Sequence, residues 1–481
     1  MIPESWSEIS HFKNMCQHFI TRQNLRALLG IFCLIFASAG LAANKSASPR
    51  LLLISLDGLR PDYISQAADY KLKVPYLRSL VDSGASATGV RGVLPTSTYP
   101  SHTSLITGAF PAQHGIVANH PFDPKFASPG SWFWYAEDIR VPTLWQAASE
   151  AGRVTASISW PVTVGAKDIQ FNIPEFNGTR TDEDLKMVRA LASLKLMEEL
   201  EKKAGKFSTD VNKAVARDWG RTRYAVELLR EKQVDFLTVH LAASDHLQHE
   251  SGPFTPAALA AIAEIDKMAE AMGKALLAED PNGIICIVSD HGFAPVSAVF
   301  KLNLAFVQAG LITLKSEGES LEKAGVKNWS AMPWPSGGSA GIVLKDPKDS
   351  AVRTKVKALL ETLAADPVNG IAGILDQATI RKLGGNSDIE FWVDMKPGFS
   401  VSSSLKAPLV SAVSARGTHS YSPTHPEMNS TFIIAGYGIS RGQNLGEIDM
   451  RSIAPTLAKA MKVSFPSAAL PPLSIFEKAG K

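Results

Sequence analysis

The chain has 481 residues, a length that would suit about three average domains, although a single α/β domain can also be this long. Its hydrophobic fraction of 45% and formal net charge of +3 are typical of a globular enzyme with a large core. So small a net charge excludes an argument from overall charge for binding to nucleic acid or an anionic membrane surface. We therefore expect no nucleic-acid polymer as a partner, and any binding of anions must be local.

The first 42 residues have the pattern of a secretory signal peptide. Basic residues precede the apolar run 27–43, whose small residues permit cleavage after Ala39 or Ala42. The alternative is an uncleaved membrane anchor, for which the run is slightly short. The mature chain would retain only Cys286, so it forms no internal disulfide. We expect a periplasmic or secreted protein with a bacterial-type export signal, in contact with a membrane only if the segment stays uncleaved.

Residues 43–49 are a polar tether, and the catalytic domain that we predict for residues 50–481 alternates between strands and helices. Apolar runs predict strands at 50–56, 86–93, 154–159, 234–241, 284–289, 340–344 and 430–435. Amphipathic patterns predict helices at 74–82, 141–150, 179–203, 210–232, 257–278, 348–365 and 453–461. This alternation predicts an α/β fold with a mostly parallel, doubly wound sheet flanked by helices.

Two parts of this pattern have a further interpretation. The helices at 179–203 and 210–232 have polar faces that are most simply solvated surface. Residues from about 300 to 402 are less regular and contain Trp329, Trp334 and several Pro and Gly residues. We predict that they form an inserted cap or subdomain that shapes specificity.

The stretch 93–119 contains the strongest local signal for a nucleophile. Three consecutive hydroxyl side chains, Thr96, Ser97 and Thr98, lie between two prolines and open a predicted helix that stops at Gly108. Backbone N–H groups and the dipole at a helix N-terminus favour an anion such as phosphate. On this stretch alone, a simple helix cap followed by a surface turn is an equally good interpretation.

Acidic and imidazole side chains follow the predicted strands, where ligands bind in open α/β sheets. The candidate metal ligands are Asp57, Asp245, His249, Asp290, His291 and His419. Asp245 and His249 are four residues apart and share one face of a helical turn, whereas Asp290 and His291 need a sharp turn, which Gly292 permits. Each pair alone could be an ordinary surface feature. Together they could hold two zinc- or manganese-type ions about 4 Å apart.

The remaining histidines of the predicted domain have simpler roles. His114 precedes a glycine and is predicted to stabilise its loop, and His246 points away from the pair on its helix. His102, His120, His240 and His425 are predicted to be structural or pocket-lining rather than metal-bound.

Five motifs occur in an order that resembles the type I phosphodiesterase/nucleotide pyrophosphatase family of the alkaline phosphatase superfamily. They are L-D-G-L-R-P-D-Y, P-T-S-T-Y-P-S-H-T-S-L-I-T-G-A-F-P-A-Q-H-G-I-V-A-N, D-H-L-Q-H, S-D-H-G-F and G-T-H-S-Y, between residues 50 and 439. The resemblance implies an alkaline-phosphatase-like fold and two zinc ions as cofactors. The position after Pro100 is often Asn in this family and is Ser101 here, and Tyr99 replaces a more usual Phe.

The resemblance also implies roles for individual residues. It makes Thr98 the nucleophile and Asn119 the donor to a phosphate oxygen. It assigns one zinc to Asp57, Thr98, Asp290 and His291, and the other to Asp245, His249 and His419. Two displacements through a phospho-threonine would hydrolyse a phosphodiester or phosphoanhydride, with a small phosphodiester or nucleotide as substrate. Tyr99 could pack against a nucleobase or another leaving group.

Two other functions compete with this one. A phosphomonoesterase or phosphonate hydrolase could use the same scaffold, but some such enzymes place a Lys-x-Arg pair near the site, and residues 157–166 contain no basic residue. That absence favours a less charged diester, with Trp160 as a pocket wall. A non-catalytic metal-binding envelope protein is the other alternative, and the complete ligand set argues against it.

Overall fold

The computed structural model describes residues 48–128 and 130–477. The predicted signal peptide and most of the tether lie outside this part of the chain. Among the helices of the described residues, none combines the length and the apolar character needed to cross a membrane.

Nineteen strands occur in the described residues. In chain order they are β1 (Leu51–Leu56), β2 (Ala85–Ser86), β3 (Gly89–Arg91), β4 (Thr155–Ile158), β5 (Phe171–Ile173), β6 (Phe236–Leu241), β7 (Ile284–Val288), β8 (Ala294–Phe300), β9 (Ile312–Leu314), β10 (Val326–Trp329), β11 (Ala331–Ser336), β12 (Ser339–Leu344), β13 (Ile371–Asp376), β14 (Ile389–Met395), β15 (Gly398–Val401), β16 (Val410–Thr418), β17 (Phe432–Gly436), β18 (Gln443–Asn444) and β19 (Glu447–Asp449).

The same residues form fifteen α-helices. They are α1 (Asp62–Ser65), α2 (Pro75–Ser83), α3 (Thr98–Thr107), α4 (Pro111–His114), α5 (Leu144–Glu150), α6 (Leu185–Leu191), α7 (Leu196–Ala204), α8 (Ala214–Glu231), α9 (Ala243–Ser251), α10 (Pro256–Glu279), α11 (Leu302–Gln308), α12 (Leu321–Ala324), α13 (Ser350–Ala365), α14 (Gln377–Lys382) and α15 (Ile453–Ala460).

The central sheet has eight strands in the order β18-β2-β17-β7-β1-β6-β4-β5. Strands β7, β1, β6, β4 and β5 pair in parallel, and β17 joins β7 antiparallel. Every residue of β1 is buried, because helices cover both faces of the sheet. The predicted mostly parallel α/β sheet is confirmed.

Strands β7, β1 and β6 end at one edge of this sheet, and the acidic residues lie at that edge. Asp57 directly follows β1, Asp290 follows β7 after one residue, and Asp245 lies in the first turn of α9, just after β6. Parallel strands end at a common edge, so residues far apart in sequence meet there.

Smaller sheets occupy the region between 294 and 418. Strands β11, β12, β14 and β13 form an antiparallel sheet in that order, and β15, β8 and β16 form a three-stranded sheet. The four-stranded sheet lies within the predicted insert of residues 300–402, where α13 packs against β13. The insert contains far more regular structure than the one strand and one helix predicted from its sequence.

Two sequence-based predictions are wrong here. The single helix predicted at 179–203 is broken into α6 and α7, because the backbone N–H of Ser193 bonds to the carbonyl of Asn172 and Lys195 adopts a φ of +61°. The polar face of the next helix is not all solvated. In α8, Arg217 and Arg221 are each only 4% exposed, because α8 packs between the sheet and α10.

Candidate active site

Thr98 is the first residue of α3 and differs from its two neighbouring hydroxyls in what it faces. Thr96 Oγ1 donates to the carbonyl of Tyr421, and Ser97 Oγ bonds to Ser420 Oγ at 2.6 Å. Thr98 Oγ1 instead lies 3.3 Å from His291 Nε2. Of the three hydroxyls, therefore, only that of Thr98 faces the acidic edge of the sheet. Helix α3 ends as predicted, with Gly108 in the left-handed region at φ +68°.

The first group of possible metal ligands contains Asp57, Asp290 and His291. One ligand atom from each lies within 4.8 Å of the other two. His291 Nε2 is 3.1 Å from Asp290 Oδ2 and 3.4 Å from Asp57 Oδ1. All three residues are buried, and Thr98 Oγ1 lies beside them. The four residues that the family resemblance assigned to one ion are therefore brought together.

The second group lies next to the first. Asp245, His291 and His419 also form a cluster within 4.8 Å, which makes His291 common to both groups. His249 Nε2 is 3.3 Å from Asp245 Oδ1, and the rings of His249 and His419 have their centroids 5.1 Å apart. Asp245, His249 and His419 thus meet as the sequence predicted, and His291 lies at the junction of the two groups.

Three of these histidines are oriented in the same way, which suits metal binding. Nδ1 of His249 bonds to the carbonyl of Gly417, that of His291 to the carbonyl of Gly292, and that of His419 to the carbonyl of Thr96, at 3.0–3.1 Å. A carbonyl can only accept, so each Nδ1 carries a proton, and when the ring is neutral its Nε2 directs a lone pair to the site. Histidines that ligate metals are commonly held through the other ring nitrogen in this way.

The carboxylates of the site also fit a cation. Asp57 Oδ1, Asp245 Oδ1 and Asp290 Oδ2 are buried and have no hydrogen-bond partner among the described residues, although imidazole nitrogens lie nearby. Burial and the charges of Asp290 and Asp245 raise the pKa of Asp57 well above its usual range. Burial opposes ionisation of Asp290, but His291 lowers its pKa, and Asp290 in turn raises the pKa of His291 to about 9. Crowded buried carboxylates of this kind are compensated by a bound divalent ion.

Asn119 lies at the N-terminus of α3, beside the candidate nucleophile. Its Oδ1 accepts a hydrogen bond of 2.9 Å from the backbone N–H of Tyr99, the residue after Thr98. That bond identifies the oxygen and leaves the amide Nδ2 as a donor, and none of the described residues accepts from it. The orientation suits a group that donates to a phosphate oxygen.

A buried chain of polar groups behind Asp57 was not predicted. His240 bonds through Nε2 to Asp57 Oδ2 and through Nδ1 to Glu175 Oε2, both at 2.9 Å. Burial opposes the charges, but the two carboxylates raise the pKa of His240 to about 10, and His240 lowers the pKa of Glu175 to about 2. His240 was expected to be structural or pocket-lining, whereas Glu175 carried no signal, since it follows a short irregular strand.

Trp160 and Tyr99 are both fully buried but differ in whether they line the cavity at the site. Trp160 is fully buried, packs edge-on against His102 at 4.9 Å and does not line the cavity at the site. The prediction that Trp160 forms a pocket wall is wrong, because the turn after β4 is itself buried and places Trp160 in the core. Tyr99 does line that cavity, and its hydroxyl donates to Glu175 at 3.2 Å. Trp132, which the sequence did not single out, lies against Tyr99 with ring centroids 5.1 Å apart.

The cavity beside Thr98 contains arginines that sequence reasoning missed. Arg180, Arg217 and Arg221 line it together with Thr98 and Asp245. Residues 157–166 indeed contain no basic residue. However, this absence no longer favours a less charged diester, because α8 supplies positive charge to the pocket from a distant part of the chain. The spacing of Arg217 and Arg221, four apart on one helix face, was the available signal.

The remaining histidines and Cys286 have structural surroundings. His114 bonds to Ser104 Oγ and accepts from the N–H of Ile116, which confirms its role in the loop. His425 bonds to Asp394 at 2.7 Å rather than to the metal ligands. Cys286 is a buried free cysteine of β7, as expected.

Comparison with known proteins identifies relatives of this chain. The sequence model of the family described as type I phosphodiesterase / nucleotide pyrophosphatase matches residues 51–422. Ectonucleotide pyrophosphatase/phosphodiesterase family member 1 of Homo sapiens is 26% identical over 259 residues, 51% of this chain and 24% of the relative. Bis(5'-adenosyl)-triphosphatase of Mus musculus is 35% identical over 129 residues, 25% of this chain and 26% of the relative. The matched part of the chain thus spans about a quarter of these relatives.

Solved structures show the same fold over most of the chain. An inactive variant of murine ectonucleotide pyrophosphatase/phosphodiesterase 5, in complex with AMP, matches with a TM-score of 0.60 and 18% identity, over 88% of this chain and 97% of that one. The human counterpart matches with a TM-score of 0.59 and 20% identity, over 88% and 96%. At this identity the likeness shows the fold alone.

Proposed function

Because the chain belongs to the type I phosphodiesterase/nucleotide pyrophosphatase family, we propose that it is an exported, metal-dependent phosphoric ester hydrolase. Its substrates are small molecules with a phosphodiester or phosphoanhydride bond, nucleotides among them. The names of the relatives, which include phosphodiesterases, pyrophosphatases and a bis(5'-adenosyl)-triphosphatase, support this substrate class. The signal-like pattern of residues 1–42 supports export to the periplasm or beyond the cell.

The observation that carries the proposal is the position of Thr98. Its hydroxyl is at the N-terminus of a helix and 3.3 Å from His291, the residue common to both ligand groups. A nucleophile beside paired carboxylate and imidazole ligands is the arrangement that phosphoryl transfer requires. A simple helix cap would not explain it, since the N-cap residue Ser97 makes no capping hydrogen bond.

The residues present fit two divalent ions, for which zinc suits the oxygen and nitrogen donors. One ion would be held by Asp57, Thr98, Asp290 and His291, and the other by Asp245, His249 and His419. Such ions lower the pKa of a coordinated hydroxyl and stabilise charge on the attacking and leaving oxygens.

The reaction of the chain's own residues has two displacements. Thr98 Oγ1 gives up its proton and attacks phosphorus, a bond forms between them, and the bond to the leaving oxygen breaks as that oxygen takes up a proton. Water then attacks the phospho-threonine, which releases a phosphomonoester and restores the hydroxyl of Thr98. Asn119 Nδ2 donates to an equatorial phosphate oxygen throughout.

A screen of substrates tests the proposal directly. The full chain, loaded with zinc or manganese, is assayed with bis(4-nitrophenyl) phosphate, 4-nitrophenyl phosphate, diadenosine triphosphate and glycerophosphodiesters. We expect turnover of diesters or anhydrides, with bound metal in proportion to activity. Preference for the monoester would favour a phosphomonoesterase on the same scaffold, which the arginines of the cavity make a specific alternative. A protein without bound metal and without turnover of any probe would be a non-catalytic member of the family.

A further inference from the structure

Two arginines of α8 lie in the cavity beside Thr98, although both are almost fully buried. Arg217 and Arg221 are each 4% exposed, and they are one helical turn apart on the same face. The cavity measures about 70 Å³. Its lining includes Thr98, Trp132, Glu175, Arg217, Arg221 and His246. The two guanidinium groups therefore face the same space as the candidate nucleophile.

The hydrogen bonding of the two arginines is incomplete. Arg221 Nη1 donates to Asp218 Oδ1 and to the carbonyl of His240, both at 3.0 Å. Arg217 makes no hydrogen bond or ion pair through its side chain with any of the described residues. Nε of Arg217 and Nε of Arg221 are both buried without a partner. An unpaired buried guanidinium is costly, since it loses its hydration without compensation.

The acidic groups near the arginines are already engaged. Glu175 accepts hydrogen bonds from His240, Tyr99 and Asn177. Asp218 accepts from Arg221 through one oxygen, and through the other it accepts from the backbone N–H of Ala243 at 2.7 Å. Arg180 adds a further positive charge at the cavity, on an exposed side chain. The other carboxylates of the cavity, Asp57 and Asp245, belong to the two ligand groups, so Arg217 has no carboxylate partner of its own there.

Burial and the neighbouring Arg221 lower the pKa of Arg217 to about 10. At neutral pH the guanidinium thus remains protonated and can bind an anion. Planar guanidinium groups bind phosphate oxygens through pairs of parallel hydrogen bonds, which makes them preferred ligands of phosphate.

We propose that Arg217 and Arg221 form a subsite for a second phosphate group of the substrate, distinct from the phosphorus that Thr98 attacks. This inference rests on the proposed function and narrows it. The substrates would be phosphoesters or phosphoanhydrides that carry a further phosphate, rather than diesters with uncharged substituents. An uncharged substituent could not compensate the charges of two buried guanidinium groups.

The test compares probes that differ by one phosphate. Thymidine 5′-(4-nitrophenyl phosphate) and its 3′-phosphorylated counterpart release the same chromophore, and ATP places the further phosphates in the leaving group. Each is assayed with metal-loaded wild type, Arg217→Gln and Arg230→Gln. Arg230 lies on the same helix, pairs with Glu227 and is away from the cavity, so it controls for loss of one charge. Circular dichroism and thermal unfolding verify that each variant is folded.

We expect Arg217→Gln to lower kcat/KM by about 10- to 100-fold on at least one of the probes with a further phosphate, which is the loss of one charge-assisted hydrogen-bonded contact. On the simple diester the same variant should lose less than threefold, and Arg230→Gln should change neither value. An equal loss on all probes, or no loss on any, would overturn the subsite. 4-Nitrophenyl phosphate is assayed with the same three proteins, and a selective loss on it would also overturn the subsite, since Arg217 would then bind the reacting phosphate itself.

A binding measurement separates this subsite from the proposed function. Inorganic phosphate is titrated calorimetrically into the metal-loaded protein, a measurement that does not require turnover. If the wild type hydrolyses no probe but binds two phosphates per chain, and Arg217→Gln binds one of them at least tenfold more weakly, the proposed function fails and the subsite stands. Equal affinities for phosphate in the two proteins would overturn the subsite, whatever the enzyme hydrolyses.

Discussion

The hydroxyl of Thr98 lies 3.3 Å from Nε2 of His291, although the two residues are 193 positions apart in sequence. The contact joins the start of α3 to the end of β7. Strand β7 ends at the edge of the central sheet where Asp57 and Asp245 also lie, whereas Thr98 reaches this edge from β3, which belongs to a separate two-stranded sheet with β19. The hydrogen bond from His291 Nδ1 to the carbonyl of Gly292 orients the ring, so Nε2 faces Thr98 and the neighbouring carboxylates.

Replacement of Thr98 by Ala is expected to abolish turnover and to leave the fold and the metal content largely intact. The variant loses one hydroxyl, whereas the six carboxylate and imidazole side chains of the two groups remain. Thr98→Ser keeps the hydroxyl and should retain measurable activity, which makes it the matched control. Turnover of a nitrophenyl diester, metal content and thermal unfolding are measured for all three proteins. Full activity of Thr98→Ala would show that the nucleophile is misassigned.

The role of Asn119 can be separated into its two hydrogen-bonding functions. Asn119→Asp keeps an oxygen to accept from the N–H of Tyr99 but removes the donor to substrate. Loss of one such donor typically lowers kcat by about 100- to 1,000-fold. We expect Asn119→Asp and Asn119→Ala both to lose activity to this extent, with the smaller change of melting temperature in the Asp variant. If Asn119→Asp stays within threefold of wild type, the side chain positions the helix and does not touch substrate.

Removal of metal should destabilise the protein as well as inactivate it. Asp57 Oδ1, Asp245 Oδ1 and Asp290 Oδ2 are buried without hydrogen-bond partners, so an ion that binds only the folded state adds to stability. The gain is about 2.7 kcal/mol per site when the free metal is 100 times Kd. We expect chelation to lower the melting temperature and zinc or manganese to restore it. An unchanged melting temperature in a chelated protein that has lost its metal would contradict the proposed ligand groups.

The sequence predicted most of the central sheet, because its parallel strands are short apolar runs that fit few structures other than a buried strand. It also predicted that Asp57, Asp245 and Asp290 meet, since each follows such a strand. The polar partners behind them could not be predicted in the same way. Glu175 approaches His240 only through a turn with no regular pattern, and the contact is set by tertiary packing.

Charged residues that are buried caused the main errors in the predictions made from the sequence. An amphipathic helix with charged residues looks solvated, yet Arg217, Asp218 and Arg221 compensate one another only in part and face a cavity that the sequence does not reveal. Trp160 was misplaced for the opposite reason, since a tryptophan after a strand fits a core as well as a pocket wall. Functional groups that break the usual burial preferences are found from the structure rather than from the pattern.

The pair formed by His425 and Asp394 gives a prediction for pH dependence away from the metal ligands. Their side chains bond at 2.7 Å, and this hydrogen bond raises the pKa of His425 above its ordinary value of 6.5. A raised pKa in the folded state means that the pair stabilises the fold fully below pH 6.5 and loses that effect as pH rises through the raised value. We expect wild type to exceed His425→Gln by about 1 kcal/mol in free energy of unfolding at pH 5.5, the size of one net intramolecular hydrogen bond.

At pH 9 the difference in free energy of unfolding between wild type and His425→Gln should be smaller. His114 provides a control of opposite sign, because burial lowers its pKa to about 3. The stability advantage of wild type over His114→Gln should therefore decrease as pH falls. Urea unfolding at several pH values measures both series. A wild-type advantage over His425→Gln that grows with pH would contradict the assignment.

The bridge that His240 makes between Asp57 and Glu175 predicts a large effect on stability. Replacement of His240 by Phe leaves a carboxylate oxygen on each side without its partner. Removal of one member of a buried charged set typically costs about 3–5 kcal/mol. We expect a loss of this size in His240→Phe and a smaller loss in the double variant His240→Phe, Glu175→Gln, because a neutral amide tolerates burial better than a carboxylate. Urea unfolding of the two single variants and the double variant gives the coupling free energy. Strictly additive effects would show that His240 and Glu175 act independently, and that the bridge does not orient Asp57 toward the site.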